Sequence, residues 1–228
     1  MMAFFDLDGT LMPLPSVERR LIARLVSDRQ LSLWRLSQCA LNIGFQKLKG
    51  DRWAQQRNKD YLAGLTVAEV EEAARALALD LAGLLRPAVM GQLQAHVQRG
   101  HGIVLLTGAI EALARPVAEA IGGRCTVCAT HCASHGGRFV ARPPQRHPFG
   151  TGKASLARDI AERHGLALRD CWAYGDSHHD LALLGAVGHP VAVYPDRMLR
   201  RHAERCGWPI IDDGKRPAFG APLPVQRV

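Results

Sequence analysis

The stretch that most constrains this chain is Phe4-Phe5-Asp6-Leu7-Asp8-Gly9-Thr10. A short apolar run that ends in acids and a glycine reads as a buried parallel strand whose chain turns sharply on leaving the sheet. In an open α/β sheet the site lies beyond the carboxyl ends of the strands. Asp6 and Asp8 fall at that position. Residues two apart on extended backbone point to the same side, so the two carboxylates can converge. Two close negative charges are costly unless a cation joins them, and a hard cation held by oxygen, such as Mg²⁺, suits them. An ordinary strand exit uses Asp and Gly as well. The later strand ends decide between the two readings.

From Ser16 to about Leu85 the spacing is helical. Ser16 is a fitting N-cap, and Leu21, Ile22, Leu25 and Val26 form an apolar stripe. Leu31 to Leu48 is a longer apolar-rich stretch, and Trp53 to Leu62 a third segment with Arg57 and Lys59 on its basic side. Thr66 with Glu69 makes a capping-box pattern. No βαβ crossover needs roughly 70 residues, so this block reads as a helical insert. Placed directly after the carboxylate loop, it would act as a lid. Trp34, Phe45 and Trp53 are expected in the core of that lid; the sharper alternative is peripheral membrane contact through it.

Beyond Pro87 the pattern alternates between strand and helix. Ile103 to Leu106 is a second buried strand ending at Thr107-Gly108, where a hydroxyl and free helix amides can cradle an anion or simply cap the helix. A strand at about 125–129, a hairpin near 131–142 and a helix from Ala154 follow. Lys153 at that helix start opposes the helix dipole, which is easier to understand if it points at an anion. The full phosphate-loop spacing is absent, so Gly150-Thr151-Gly152-Lys153 does not predict nucleotide binding. Cys171 to Gly175 is a strand running into a second acidic loop, Asp176-Ser177-His178-His179-Asp180. A strand at His189, a helix from Pro195, a short strand from Trp208 and an irregular tail complete the chain.

In a parallel sheet these strand ends share one edge. Asp6 and Asp8, Thr107, Lys153, and Asp176 and Asp180 together supply a nucleophile, a proton donor, a hydroxyl, a cation and a metal cage. That is the inventory for phosphoryl transfer, where catalysis is mostly positioning and charge neutralisation. The four segments FFDLDGT, LLTG, Lys153 and YGDSHHD resemble, in order, the four motifs of haloacid dehalogenase superfamily phosphatases. The helical insert resembles their type 1 cap, and the C-terminal part resembles subfamily IB, the phosphoserine-phosphatase-like group.

The resemblance implies a Rossmann-like α/β core over 1–14 and 87–228 with an α-helical cap over 15–86. It implies a Mg²⁺-dependent phosphomonoester hydrolase working through an aspartyl-phosphate. Asp6 would be the nucleophile and Asp8 the general acid, then base. Thr107 and the Gly108 amide would hold phosphoryl oxygens, and Lys153 would neutralise charge. The metal would be held by Asp6, the Asp8 carbonyl and Asp176, with Asp180 orienting metal-bound water. His179 and Arg57 are candidates for substrate contact.

The chain departs from the phosphoserine enzymes at positions that recognise an amino acid. Pro15 stands where they carry a cap glutamate, Asn58 (with Arg57 beside it) where they carry a cap arginine, and His179 where they carry asparagine. A site without its charged partners binds poorly, so a small organic phosphate other than phosphoserine is expected. A phosphotransferase or mutase, a phospholipid-related phosphatase and a non-catalytic basic binding protein are the alternatives.

Composition bounds the rest. Apolar residues are 47% of 228, ample for a packed core, and the net charge of +8 suits an anionic partner. No aromatic and basic stripe favours nucleic acid. Asp6 interrupts the first apolar run, so it does not read as a secretory signal, and no apolar stretch reaches the length of a membrane span. Six cysteines in a chain this long do not make a small-protein disulfide framework, and a reducing cytoplasm is expected. Cys125, Cys128 and Cys132, with His131 and His135, lie within the loose spacing range for zinc; strand alternation favours incidental cysteines instead. The spacing does not reveal oligomeric state.

Overall fold

The structure, a computed structural model, describes residues 1–50, 59–122 and 125–212. Its centre is a six-stranded sheet built from β1 (Met2–Phe5), β2 (Gly102–Ile110), β3 (Cys125–Thr130), β6 (Trp172–Gly175), β7 (His189–Val193) and β8 (Ile210–Ile211). The strand order is β3-β2-β1-β6-β7-β8, and every pairing is parallel. The order reverses beside β1, so the switch point where open α/β sheets bind ligands lies at its carboxyl end. A separate hairpin pairs β4 (Ser134–His135) with β5 (Arg138–Phe139) across Gly136-Gly137.

Alternation along the strands divides the core. Phe5, Leu105, Tyr174 and Val191 enter one cluster with Leu21 and Leu25 of α1 (Val17–Ser27), Val70 and Leu77 of α3 (Val67–Ala82), Val89 and Leu93 of α4 (Pro87–Gln98), and Leu113 and Val117 of α5 (Glu111–Ala120). Phe4, Val104, Ala173 and Ala192 face the other way, onto α6 (Thr151–Arg163), α7 (Leu181–Leu184) and α8 (Arg197–Cys206). Successive side chains of a strand point to opposite faces, and a sheet buried on both sides needs apolar residues at every position. The all-buried run Met2–Phe5 meets that need. The expected parallel sheet with helices on both faces is the fold of the chain.

The helix signals act as the sequence implies. The Ser16 hydroxyl accepts from the Arg19 amide, and Thr66 and Glu69 exchange the two bonds of a capping box. Two expectations change. Strand β2 runs on to Ile110, past the expected end at Leu106, but its register with β3 shifts between Leu106 and Ile110, lifting Thr107 and Gly108 out of the regular ladder. Trp34 and Phe45, on α2 (Leu33–Leu48), are not lid core: they are 73% and 58% exposed. Trp53, Arg57 and Asn58 lie outside the described residues, as does the tail after Asp212.

Among the described residues no single helix is long and apolar enough to cross a membrane. Helices α3 and α4 reach that composition only together, across a 100° bend.

Candidate active site

Asp6 follows the last residue of β1, and its amide donates to the Tyr174 carbonyl of β6 at 3.0 Å. This bond ties the two central strand ends together and brings the 176–180 loop beside Asp6. The chain then turns back through Gly9, whose amide donates to the Met12 carbonyl. Gly9 has φ +86°, and a β-carbon there would overlap the Asp176 carboxylate. Glycine is required at this position by conformation and by space.

One oxygen each of Asp6, Asp176 and Asp180 lies within 4.8 Å of the others. Lys153, at the start of α6 and 4% exposed, puts Nζ 2.8 Å from Asp6 Oδ1 and 2.6 Å from Asp180 Oδ1. Asp180 Oδ2 also accepts from the amides of Asp176 and Ser177 at 3.3 Å, fixing the acidic turn. Burial alone would lower the Lys153 ammonium, but the charges of Asp180 and Asp6 outweigh it and raise the group, so it stays charged. Burial pushes the Asp6 carboxyl well above its ordinary range against the pull of Lys153, and burial with the charges of Asp6 and Asp180 does the same to Asp176. Two buried carboxylates and one half-buried carboxylate gather beside one ammonium. An oxygen-only donor set short of positive charge fits a hard divalent cation.

Asp8 sits apart from that cluster. Its Oδ1 accepts from the Val17 amide, the first of α1, at 2.7 Å. Burial raises its carboxyl to about 6 despite that bond. The group is therefore aimed by a helix N-terminus and keeps its proton to a higher pH than an ordinary carboxyl. Thr107 is fully buried, its Oγ1 accepts from the Ala109 amide at 3.1 Å, and Gly108 is braced by Thr130, whose hydroxyl donates to the Gly108 carbonyl at 2.6 Å.

These groups floor a cavity of about 500 Å³ that also takes in Glu18, Arg19, Lys59, Tyr61, His147, Phe149 and His179.

The family description haloacid dehalogenase-like hydrolase matches residues 3–185. The chain belongs to that family.

Several proteins resemble this hydrolase along most of its length. A probable phosphatase of Mycobacterium tuberculosis is 32% identical over 92% of this chain and 74% of its own length. A protein of the same organism named phosphoserine phosphatase is 31% identical over 92% of this chain and 70% of its own. A crystal structure of a Bordetella pertussis protein of unknown function superposes with TM-score 0.76 and 26% identity, covering 92% of this chain and 97% of that one.

Within the haloacid dehalogenase fold, the residues singled out from the sequence gather as follows. Asp6, Asp8, Thr107, Gly108, Lys153, Asp176 and His179 all line the one cavity, and Asp180 stands directly behind Lys153. Arg57 is outside the described residues. Sequence reasoning missed the buried knot opposite the acids: Lys59 Nζ lies 2.6 Å from Glu18 Oε2, and the Tyr61 hydroxyl donates to Glu18 Oε1 at 2.7 Å. Glu18 stands in the first turn of α1, where an acid is ordinary, and Lys59 read as part of a basic side. Sequence reasoning also missed His147 and Phe149, which stack at 5.7 Å and pack on His179 through Phe149 at 4.5 Å.

The cysteines do not gather. Cys128 packs into the core cluster on one face of the sheet, while Cys125 and Cys132 pack on the other. Burial pushes all three thiols up, Cys132 to about 12, which opposes the thiolate form a metal needs.

Proposed function

We propose that this hydrolase is a Mg²⁺-dependent phosphomonoester phosphatase that works through an aspartyl-phosphate on Asp6. The observation that carries the reading is the cluster of Asp6, Asp176 and Asp180, with Lys153 paired to Asp6 and Asp180 and Asp8 set apart on the α1 N-terminus. The names of relatives, a probable phosphatase among them, support the phosphatase part of the reading.

The carboxylate of Asp6 attacks phosphorus and the ester oxygen leaves with the proton of Asp8. Asp8, now ionised, takes a proton from water, which attacks the acyl phosphate and frees Asp6 and inorganic phosphate. Thr107 and the Gly108 amide hold phosphoryl oxygens, and Lys153 keeps Asp6 in line and offsets charge. Asp6, the Asp8 carbonyl and Asp176 would hold Mg²⁺, with Asp180 orienting its water. The ion supplies charge neutralisation for the transferring phosphoryl group. His179 borders the organic part of the substrate.

Residues 15–86 serve as the cap and residues 1–14 with 87–228 as the catalytic core. The division is one of function, since α1 and α3 share a hydrophobic cluster with the sheet.

Phosphoserine is the substrate in one relative's name. Against it here, Pro15 is exposed and uncharged, and the nearby Glu18 carboxylate is already engaged by Lys59 and Tyr61. The test is hydrolysis of an aryl phosphate with and without Mg²⁺, beside a panel of phosphomonoesters. Asp6→Asn should abolish turnover. Normal turnover by that variant sinks the nucleophile assignment, and phosphoserine emerging well above the panel sinks its exclusion.

A further inference from the structure

We propose that the alcohol part of the substrate is apolar, an alkyl or comparable hydrocarbon group, received by a wall of the cap that faces the catalytic floor. The inference rests on the phosphatase reading above and names the substrate class of that same cavity.

The wall is built by Ile22 of α1 and by Leu36, Cys39, Ala40 and Ile43 of α2. The four α2 positions follow the i, i+3, i+4, i+7 pattern, so they form one stripe on one side of the helix. The same cavity is lined on its floor by Asp6, Asp8 and Lys153. Cys39 behaves as a small apolar group, because burial raises its thiol further and keeps it neutral. Beside the stripe, the one cap acid among the described lining residues is already engaged, and Arg19, which also lines the cavity, is a cation that would repel a substrate ammonium. Both Glu18 oxygens are occupied, by Lys59 at 2.6 Å and Tyr61 at 2.7 Å, and these partners are only 8% and 5% exposed. A substrate ammonium would have to break that buried ion pair to reach Glu18, at a cost of several-fold to many-fold in affinity. A cavity of about 500 Å³ exceeds what a phosphoryl group fills and falls in the range of sites for small organic ligands.

The experiment is a chain-length series. Ethyl, butyl, hexyl and octyl phosphate are compared with phosphoserine and phosphoethanolamine as substrates of the Mg²⁺-loaded wild type. Burying each methylene should raise kcat/KM about two- to four-fold until the wall is covered. The two ammonium-bearing esters should fall below butyl phosphate. Ile43→Ser should flatten the series, and Ala40→Leu should move its optimum to shorter chains, each read as the octyl-to-ethyl ratio within one variant. The non-hydrolysable alkylphosphonates are titrated in parallel by calorimetry. A flat series, or a preference for the ammonium esters, overturns the apolar wall while leaving the phosphatase standing. Loss of turnover on every ester, aryl phosphate included, overturns the phosphatase reading, and the alkylphosphonate affinities then decide the wall alone: no gain with chain length overturns it.

Discussion

Asp176 fills the space that a side chain at position 9 would need: a β-carbon on Gly9 would overlap the Asp176 carboxylate, and Gly9 is held at φ +86°. Two loops from two strands thus interlock at the catalytic edge. Gly9→Ala should cost about 1–3 kcal/mol from backbone strain alone and must also push Asp176 out of the acidic cluster. Aryl phosphate turnover should fall by more than about 100-fold, because a displacement near 1 Å costs that much. Denaturant unfolding and kcat/KM measured together check this, and a variant near wild type in both would contradict the interlock.

Among the described residues Lys153 is the only cation paired with Asp6 and Asp180, and all three are buried. Replacing it by methionine keeps the volume and strands two carboxylates. Removing one partner of a buried pair costs about 3–5 kcal/mol. Lys153→Met should therefore lose both activity and stability. Adding Asp180→Asn should return part of the stability without the activity, as a double-mutant cycle would register. Additive losses would show that the two residues are not coupled.

The acidic cluster predicts a particular response to metal. At Mg²⁺ about 100-fold above its Kd, stabilisation of about 2.7 kcal/mol is expected. For a chain of this size that raises Tm by about 5–10 °C. Asp176→Asn should remove most of that rise. Without Mg²⁺ the same variant should be at least as stable as wild type, since a neutral amide relieves repulsion from Asp6 and Asp180. A metal-free variant clearly less stable than metal-free wild type would argue against an unbalanced charge cluster.

The catalytic edge was legible because its residues sit at strand ends, where period and turn chemistry agree. Asp6, Asp8, Thr107 and Asp176 each mark a place where an apolar run stops, and parallel pairing brings such places together, while Lys153 reaches them from the start of α6. The cap was less legible. Helix α2 carries Leu36, Cys39 and Ile43 toward the cavity and Trp34, Leu41 and Phe45 toward solvent, so apolar residues alone could not say which face is inside. The Glu18–Lys59 pair joins residues far apart in sequence, and no local period encodes it. Strand β2 ran past its expected end because an irregular register, not a glycine stop, releases Thr107 from the ladder.

Beneath the site, Tyr174 stacks on Phe5 at 4.3 Å, and its hydroxyl lies 2.9 Å from Nε2 of His96, a residue of α4 that is 1% exposed. Nδ1 of His96 meets Nδ1 of His101 at 2.8 Å. Burial lowers the His96 imidazole from 6.5 to about 4, and His101 and Arg99 add to the effect. The folded-state value is below the unfolded one, so the folded protein binds fewer protons. The stability that comes from keeping His96 neutral is complete above pH 6.5 and is lost as pH falls from there toward about 4. The full effect is on the order of 3 kcal/mol. His96→Gln retains a hydrogen-bonding group opposite Tyr174 but cannot take up the proton. It should be somewhat less stable than wild type at pH 7.5, by about 1 kcal/mol, and should lose less on acidification. Urea unfolding of both proteins at pH 7.5, 6 and 4.5 measures the difference, and equal losses would remove His96 from the acid response.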